Sequence, residues 1–225
     1  LEWDLRWGER YDLTSTKCQQ TVRGWIICGL VVAVWLGVPC ASFTRCRDHG
    51  RPGGWPGPLR SDSQVLGLPD LNEKDKHKVA VGNSLARFAV SVIFLCKRMA
   101  LPAAVENPDR SRLWIMPGFL RLARICHSVR LDFCQFGTPW RKRTQIWYLN
   151  VDLSFVGLLC KQRNGCCSRT GRRHVNLQGT SNGVFRTSIA EPYPRKLCNM
   201  IVDCLCRAEG DLHTAAIDTV LKPSS

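Results

Sequence analysis

The chain has 225 residues, long enough for one sizeable domain or for one domain with a small appendage. It carries 32 Lys and Arg against 18 Asp and Glu, so its net charge of +14 favours polyanionic partners, nucleic acid before membrane, unless the basic surface is merely solvated. Thirteen cysteines without the features of a signal peptide exclude a small secreted disulfide scaffold and predict reduced thiols in an intracellular compartment such as the nucleus. Because the chain begins at Leu1 rather than Met, we expect a piece of a longer reading frame.

The first elements in chain order are a helix and a short strand. Residues 1–5 alternate as the tail of a strand would, with Asp4 near its end. Ser15 can cap a helix that continues to Gly29, and the β-branched residues of 30–36 predict a buried strand directly after it. A helix joined to a strand by a short turn is typical of a doubly wound α/β fold.

The segment 24–44 has no charged residue and is long enough to raise the question of a membrane span. Gly29, Gly37 and Pro39 interrupt it, and its β-branched cluster is typical of a strand. We therefore expect the helix and strand described above, and no membrane partner.

The middle of the chain predicts an exposed loop, a long helix and a core strand. Residues 49–58 contain four glycines and three prolines, and a loop continued to about residue 68 could close over a ligand. A capped start within 69–75 and apolar periodicity to Met99 predict a largely buried helix. The strand 103–108 then delivers Glu106 and Asn107 at its carboxyl end. A buried carboxylate there is costly, which marks Glu106 as a candidate functional group, although a helix cap or salt bridge is the alternative.

Three segments in this order resemble signatures of the DNA cytosine-5 methyltransferases. Residues 39–44, Pro-Cys-Ala-Ser-Phe-Thr, are similar to the family's Pro-Cys-Gln-x-Phe-Ser nucleophile loop, with Ala41 in place of Gln. Residues 106–108, Glu-Asn-Pro, resemble its Glu-Asn-Val or Glu-Asn-Pro signature. Residues 131–144 are similar to its Tyr-Gly-x-Pro-Gln-x-Arg-x-Arg segment, with Trp140 replacing Gln. The family's glycine-rich Phe-x-Gly-x-Gly loop is missing.

The resemblance implies a fold and a domain organisation. The fold would be α/β, a Rossmann-like S-adenosylmethionine-dependent methyltransferase sheet with helices on both faces, lacking the first strand, plus a small basic Cys/His-containing region. Residues 1–150 would form a partial catalytic core, 151–190 a basic region similar to a target-recognition region, and 191–225 a closing helix and tail. The last helix is expected to run through Cys206, with Leu197 and Ile201 on one face.

The resemblance also implies chemistry. Cys40 would attack carbon 6 of a cytosine flipped out of DNA, and Glu106 would hydrogen-bond its nitrogen 3. Arg141 and Arg143 would be catalytic cations, and the cations available to favour the thiolate are Arg45, Arg47, Arg141, Lys142 and Arg143. S-adenosylmethionine would be the methyl donor, held by Asp4 at its ribose, Asp12 at its adenine amine, and Pro39. Activity is expected of the full-length form rather than of the isolated chain. Two alternatives remain: a non-catalytic nucleic-acid-binding remnant of this fold within a larger polyprotein, and a basic α/β protein without enzyme activity.

The region 151–190 contains a basic Cys/His cluster. Cys160, Cys166, Cys167 and His174 are interspersed with arginines, but their spacing matches no standard zinc finger. We therefore predict a basic loop rather than a metal centre. If zinc binds, the candidate ligands are Cys160, Cys166 and His174, with Cys167 beside or in place of Cys166.

Overall fold

The sheet that organises the protein is mixed and has four strands in the order β1-β2-β4-β3. The computed structural model describes residues 4–48, 56–181 and 184–207. The strands are β1 (Val34–Gly37), β2 (Ala103–Pro108), β3 (His127–Asp132) and β4 (Arg143–Leu149). β1 and β2 are parallel, and β4 lies antiparallel between β2 and β3. Parallel strands need a crossover, which the intervening helix supplies.

The helices are α1 (Thr16–Ile27), α2 (Glu73–Arg98), α3 (Pro117–Leu122) and α4, which spans 195–207. Asn72 caps α2 by accepting a hydrogen bond from the backbone N–H of Asp75, and acidic residues in the first turn favour the positive end of the helix dipole. The predicted long helix and the predicted strand 103–108 are both confirmed.

The two faces of the sheet follow the alternation of side chains along each strand. Val105 and Trp147 point to a core shared with the first three helices. Ala104 and Ile146 point to the opposite core, where α4 packs with Leu197. The protein is therefore α/β with helices on both faces, as expected.

Two local predictions near the amino terminus are wrong. Residues Leu5–Trp7 form a 3-10 turn capped by Asp4, not the end of a strand. The strand predicted from residue 30 begins only at Val34, because Gly29 turns the chain at a φ of 70°. Leu30 remains 71% exposed, so the apolar composition of this stretch did not reflect burial.

Segment 24–44 is divided between the end of α1, a turn and β1, so it does not form one spanning helix. In the described part of the chain, α2 is the helix long and apolar enough to cross a membrane, and half of its most apolar window is buried inside the fold. Its buried residues pack in the same core as Val105 and Trp147, as those of a core helix would.

Candidate active site

The loop that carries Cys40 begins where β1 ends. Gly37 pairs with Glu106 in the parallel register, so the segment after β1 and the end of β2 lie at the same edge of the sheet. Asn107 donates from Nδ2 to the carbonyl oxygen of Val38 at 2.6 Å, and this buried contact joins the two strand ends. The backbone N–H groups of Phe43 and Thr44 both donate to the Cys40 carbonyl at 2.9 Å, so a tight turn fixes the position of the cysteine.

The loop that carries Cys40 is held by Arg60, which is buried with 1% of its surface exposed. Its guanidinium donates to the carbonyl and hydroxyl oxygens of Ser42 at 3.0 and 3.1 Å, and its Cζ lies 4.1 Å from the centre of the Phe43 ring. It also donates to the Val65 and Val79 carbonyls and to the Asn83 side chain. Burial lowers the pKa of Arg60 to about 10. One side chain thus fastens the loop that carries Cys40 to α2.

Glu106 is buried beside this loop. Its Oε2 accepts a 2.8 Å hydrogen bond from the hydroxyl of Tyr193, while Oε1 has no hydrogen-bond partner among the described residues and lies 4.0 Å from Nζ of Lys142. Burial raises the pKa of the Glu106 carboxyl, and the Lys142 charge and the Tyr193 hydroxyl only partly oppose that rise. A carboxyl with a raised pKa can retain its proton and donate a hydrogen bond.

Lys142 is a cation whose charge acts on both the Cys40 thiol and the Glu106 carboxyl. Its ammonium donates to the carbonyl of Ala190 at 3.2 Å and lies 4.8 Å from the centre of the Phe133 ring. Burial raises the pKa of Cys40, Lys142 lowers it, and Glu106 raises it further. The Cys40 thiol, the Glu106 carboxyl and the Lys142 ammonium therefore act on one another electrostatically.

Arg141 and Arg143, predicted as catalytic cations, both contact Asp132. Arg143 donates to the two carboxylate oxygens at 3.0 and 2.8 Å, and Nε of Arg141 lies 3.2 Å from one of them. Burial opposes ionisation of Asp132, but hydrogen bonds from Arg143, the Cys160 backbone and Arg141 outweigh it and lower the pKa of the carboxyl. These arginines therefore hold β3 and β4 together, and among the three consecutive basic residues it is Lys142 whose charge acts on the thiol.

The predicted cofactor residues lie around one groove of about 570 Å³ between α1, α2 and the free edge of β1. Asp4, Asp12 and Pro39 all line it, together with apolar side chains such as Trp25 and Leu36. Asp4 accepts from the backbone of Arg6, and Asp12 accepts from the backbone and hydroxyl of Thr14. Both aspartates thus also act as local caps.

The Cys/His candidates are only partly brought together. Cys160 and His174 lie in one cluster with Cys134 and Cys167, whereas Cys166 lies outside it. No disulfide joins any of the thirteen cysteines, all of which fall within the described ranges.

Sequence reasoning missed Tyr193, Arg60 and Cys134. Tyr193 lies 87 positions after Glu106, and a tyrosine between two prolines gives no signal of such a contact. Arg60 lies in a stretch without helix or strand, where arginine is ordinarily exposed. Cys134 follows a strand in another segment, so no ligand-spacing rule includes it.

No protein-family model matches the chain, and no curated protein or solved structure matches it either. The site near the carboxyl ends of the two parallel strands combines four reactive groups: the thiol of Cys40, the buried carboxyl of Glu106, the ammonium of Lys142 and the phenol of Tyr193.

Proposed function

We propose that this chain is a DNA cytosine-5 methyltransferase-like domain with a Rossmann-like fold, in which Cys40 forms a covalent adduct with a flipped cytosine. The observation that carries the proposal is the placement of Cys40 and Glu106 at the same edge of the sheet, with Lys142 acting on both. The part of the fold that supports a Rossmann-like assignment is the parallel pair β1 and β2 with its crossover helix α2, whereas β4 is antiparallel to both of its neighbours.

The chemistry requires an activated pyrimidine. Carbon 5 of cytosine is a weak nucleophile, and a bond from the Cys40 sulfur to carbon 6 pushes an electron pair into the ring. Nitrogen 3 then becomes more basic, and a protonated Glu106 can donate to it. The raised pKa of Glu106, due to burial, favours the protonated form that this role needs.

Lys142 stabilises the thiolate form of Cys40 before attack, because its charge lowers the pKa that burial raises. Protonation of Glu106 removes a neighbouring negative charge, which also favours the thiolate. Protonation of the Glu106 carboxyl thus favours the Cys40 thiolate, and the thiolate in turn favours the protonated carboxyl.

S-adenosylmethionine, when bound, would supply the methyl group. The groove beside β1 is of the size usual for small ligands, has largely apolar walls and reaches Pro39, next to the nucleophile. Asp4 also lines the groove; its half-exposed carboxylate accepts from the Arg6 backbone N–H and lies 3.3 Å from Nε of Arg6, so vicinal hydroxyls would bind at its remaining lone pairs. Asp12 fits less well, because Thr14 donates to both of its oxygens.

DNA is the expected partner. Residues 151–190 expose a set of basic side chains: Lys161, Arg163, Arg169, Arg172, Arg173 and Arg186. Contacts from such residues to phosphates would offset the cost of a few kcal/mol for extruding a base, and binding should weaken steeply with rising salt.

A second candidate function is nucleic-acid binding without catalysis. It is favoured by the burial that raises the pKa of Cys40, because a protonated thiol is a poor nucleophile. Ala41 in the position of the family's usual Gln and the missing glycine-rich loop point the same way.

Trapping on a duplex that contains 5-fluorocytosine tests the proposal and separates the two candidates. With S-adenosylmethionine present, the wild-type chain should form a complex that survives denaturation, since fluorine blocks release after attack. Cys40→Ser should form none, while Cys46→Ser, which changes an exposed cysteine of the same segment, should form as much as wild type. If DNA binds but no complex forms, the non-catalytic function is supported. Equal trapping by Cys40→Ser would remove that thiol from the mechanism.

A further inference from the structure

Three buried thiols and an imidazole meet on the side of the sheet near β3. The sulfurs of Cys134, Cys160 and Cys167 and a ring nitrogen of His174 all lie within 4.8 Å of one another. The Cys160 sulfur is 3.9 Å from that of Cys167 and 3.7 Å from Nε2 of His174. The four residues come from separate parts of the chain: a 3-10 turn after β3, the segment that follows 154–156, and a basic loop.

These distances can be compared with a tetrahedral zinc site. Zinc bonds of about 2.3 Å to sulfur and about 2.0–2.1 Å to nitrogen place two sulfurs about 3.8 Å apart and sulfur and nitrogen about 3.6 Å apart. The observed sulfur–sulfur distance of 3.9 Å and sulfur–nitrogen distance of 3.7 Å agree with these two expected values. Two of the six donor pairs therefore match the spacing of a tetrahedral zinc site, and the other four pairs lie within 4.8 Å.

The packing around the thiols is also unusual for ordinary core cysteines. Cys134, Cys160 and Cys167 form a buried cluster of their own, separate from the two larger apolar cores. Donors point at the sulfurs: the Ser168 backbone N–H lies 3.4 Å from the Cys160 sulfur, and the Gln135 side-chain amide 3.4 Å from that of Cys134. Hydrogen bonds of this kind stabilise metal-bound thiolates.

The backbone explains why Cys167 is a member and Cys166 is not. Asn164 and Gly165, with φ values of 49° and 79°, form a two-residue turn, and Arg163 and Cys166 exchange backbone hydrogen bonds across it. Successive residues of such a ladder point to opposite sides. Cys166 therefore points away, and Cys167 points into the cluster.

We infer that Cys134, Cys160, Cys167 and His174 bind one Zn²⁺ in a closed, tetrahedral structural site. The ion would join Cys134, next to β3, to the loop 160–174 and so fix the exposed guanidiniums of Arg163, Arg172 and Arg173 relative to the sheet. Binding requires the three thiols to lose their protons to solvent. The site does not depend on methyltransferase activity.

The direct test is the zinc content of the chain purified under reducing conditions without chelator. Wild type should hold close to one equivalent. Cys134→Ser and Cys160→Ser should weaken zinc binding by at least about 100-fold, as expected for loss of a ligand. Cys166→Ser is the matched control, since it removes the neighbouring thiol outside the cluster, and it should retain the metal.

Two further measurements keep the test decisive if a serine variant fails to fold. Cobalt added to metal-free wild type should give the thiolate charge-transfer bands and strong visible bands of tetrahedral coordination. His174→Cys should keep a four-coordinate site, while His174→Ala should weaken it. A folded wild type that takes up neither zinc nor cobalt, or an equal loss in Cys166→Ser and Cys160→Ser, would overturn the assignment.

Discussion

Tyr193 donates a 2.8 Å hydrogen bond to Oε2 of Glu106, and through this contact the segment before α4 completes the site at the end of β2. The Tyr193 ring also packs edge-on against Trp35, with 5.7 Å between ring centres. A Cβ on Gly37 would lie 2.9 Å from the Tyr193 hydroxyl, so the close approach of this ring depends on glycine in β1. Three distant segments thus enclose one carboxyl.

Tyr193→Phe should destabilise the protein in a pH-dependent way. At neutral pH the substitution removes the donor to an ionisable buried carboxyl, and we expect the free energy of unfolding to fall by about 1–2 kcal/mol. The Tyr193 hydroxyl lowers the pKa of Glu106, so its removal should raise that pKa further. The loss should therefore shrink in acid, where Glu106 is protonated. Urea unfolding at two pH values measures this, and a loss independent of pH would contradict it.

Arg60→Met should lower the free energy of unfolding by about 3 kcal/mol. The substitution removes the donor to the carbonyls of Ser42 and Val65, and each unsatisfied buried acceptor costs about 1–3 kcal/mol. The carbonyl of Val79 keeps its partner within α2 and loses only a second hydrogen bond. Arg87→Met, which removes an exposed arginine from α2, is the control and should change stability by less than about 0.5 kcal/mol. Similar losses in both variants would show that Arg60 does not fasten the loop.

The elements that sequence alone could predict are those with a long apolar repeat or with clear start and stop residues. The apolar repeat of α2 and its Asn72 cap, and the strand at Ala103–Pro108 between a proline and a turn, fall where their local chemistry dictates. β1 was placed too early because an apolar run does not reveal the turn at Gly29, which depends on how α1 ends.

In the candidate site too, sequence alone reveals residues placed by local structure but not those brought in by tertiary packing. Cys40 and Glu106 could be named because Cys40 follows β1 and Glu106 lies near the carboxyl end of β2, and the ends of parallel strands meet at one side of a sheet. Lys142 could be named only as one of several nearby cations, because the antiparallel course of β4 decides which of them acts on the thiol. Tyr193 could not be named, because it reaches Glu106 through the packing of the segment before α4. Cys134 joins the thiol cluster for the same reason: only the tertiary fold brings it to Cys160 and Cys167.

Lys142→Met should slow alkylation of Cys40. The lysine charge lowers the pKa of this thiol, so its removal should decrease the thiolate fraction at pH 8. We expect the rate with iodoacetamide, followed by peptide mass spectrometry, to fall by about tenfold, which corresponds to ~1.4 kcal/mol of lost attraction. Cys96, whose pKa burial raises to about 12, provides an unreactive reference within the same chain. Lys161→Met, at an exposed lysine, should leave the Cys40 rate unchanged, and an equal effect of both variants would exclude the specific role of Lys142.

Glu106→Gln separates a general acid from a structural carboxyl. Burial raises the folded-state pKa of Glu106 above its unfolded value, so the wild type is most stable, relative to a non-titrating variant, below the unfolded pKa. That advantage is lost as the pH rises through the folded pKa. The free energy of unfolding of Glu106→Gln minus that of wild type should therefore increase from acid to neutral pH, as chemical unfolding at several pH values can measure.

Activity gives the second half of this test. If Glu106 donates to nitrogen 3 of cytosine, the same substitution should lower methyl transfer per folded molecule by about 10²-fold or more, the usual scale for general acid catalysis. The amide oxygen can still accept from Tyr193, so the surrounding structure should persist. Glu191→Gln, at an exposed carboxyl that also acts on Cys40, is the matched control and should leave transfer nearly unchanged. A Glu106→Gln protein with a lowered melting temperature and undiminished transfer would show that the carboxyl is structural.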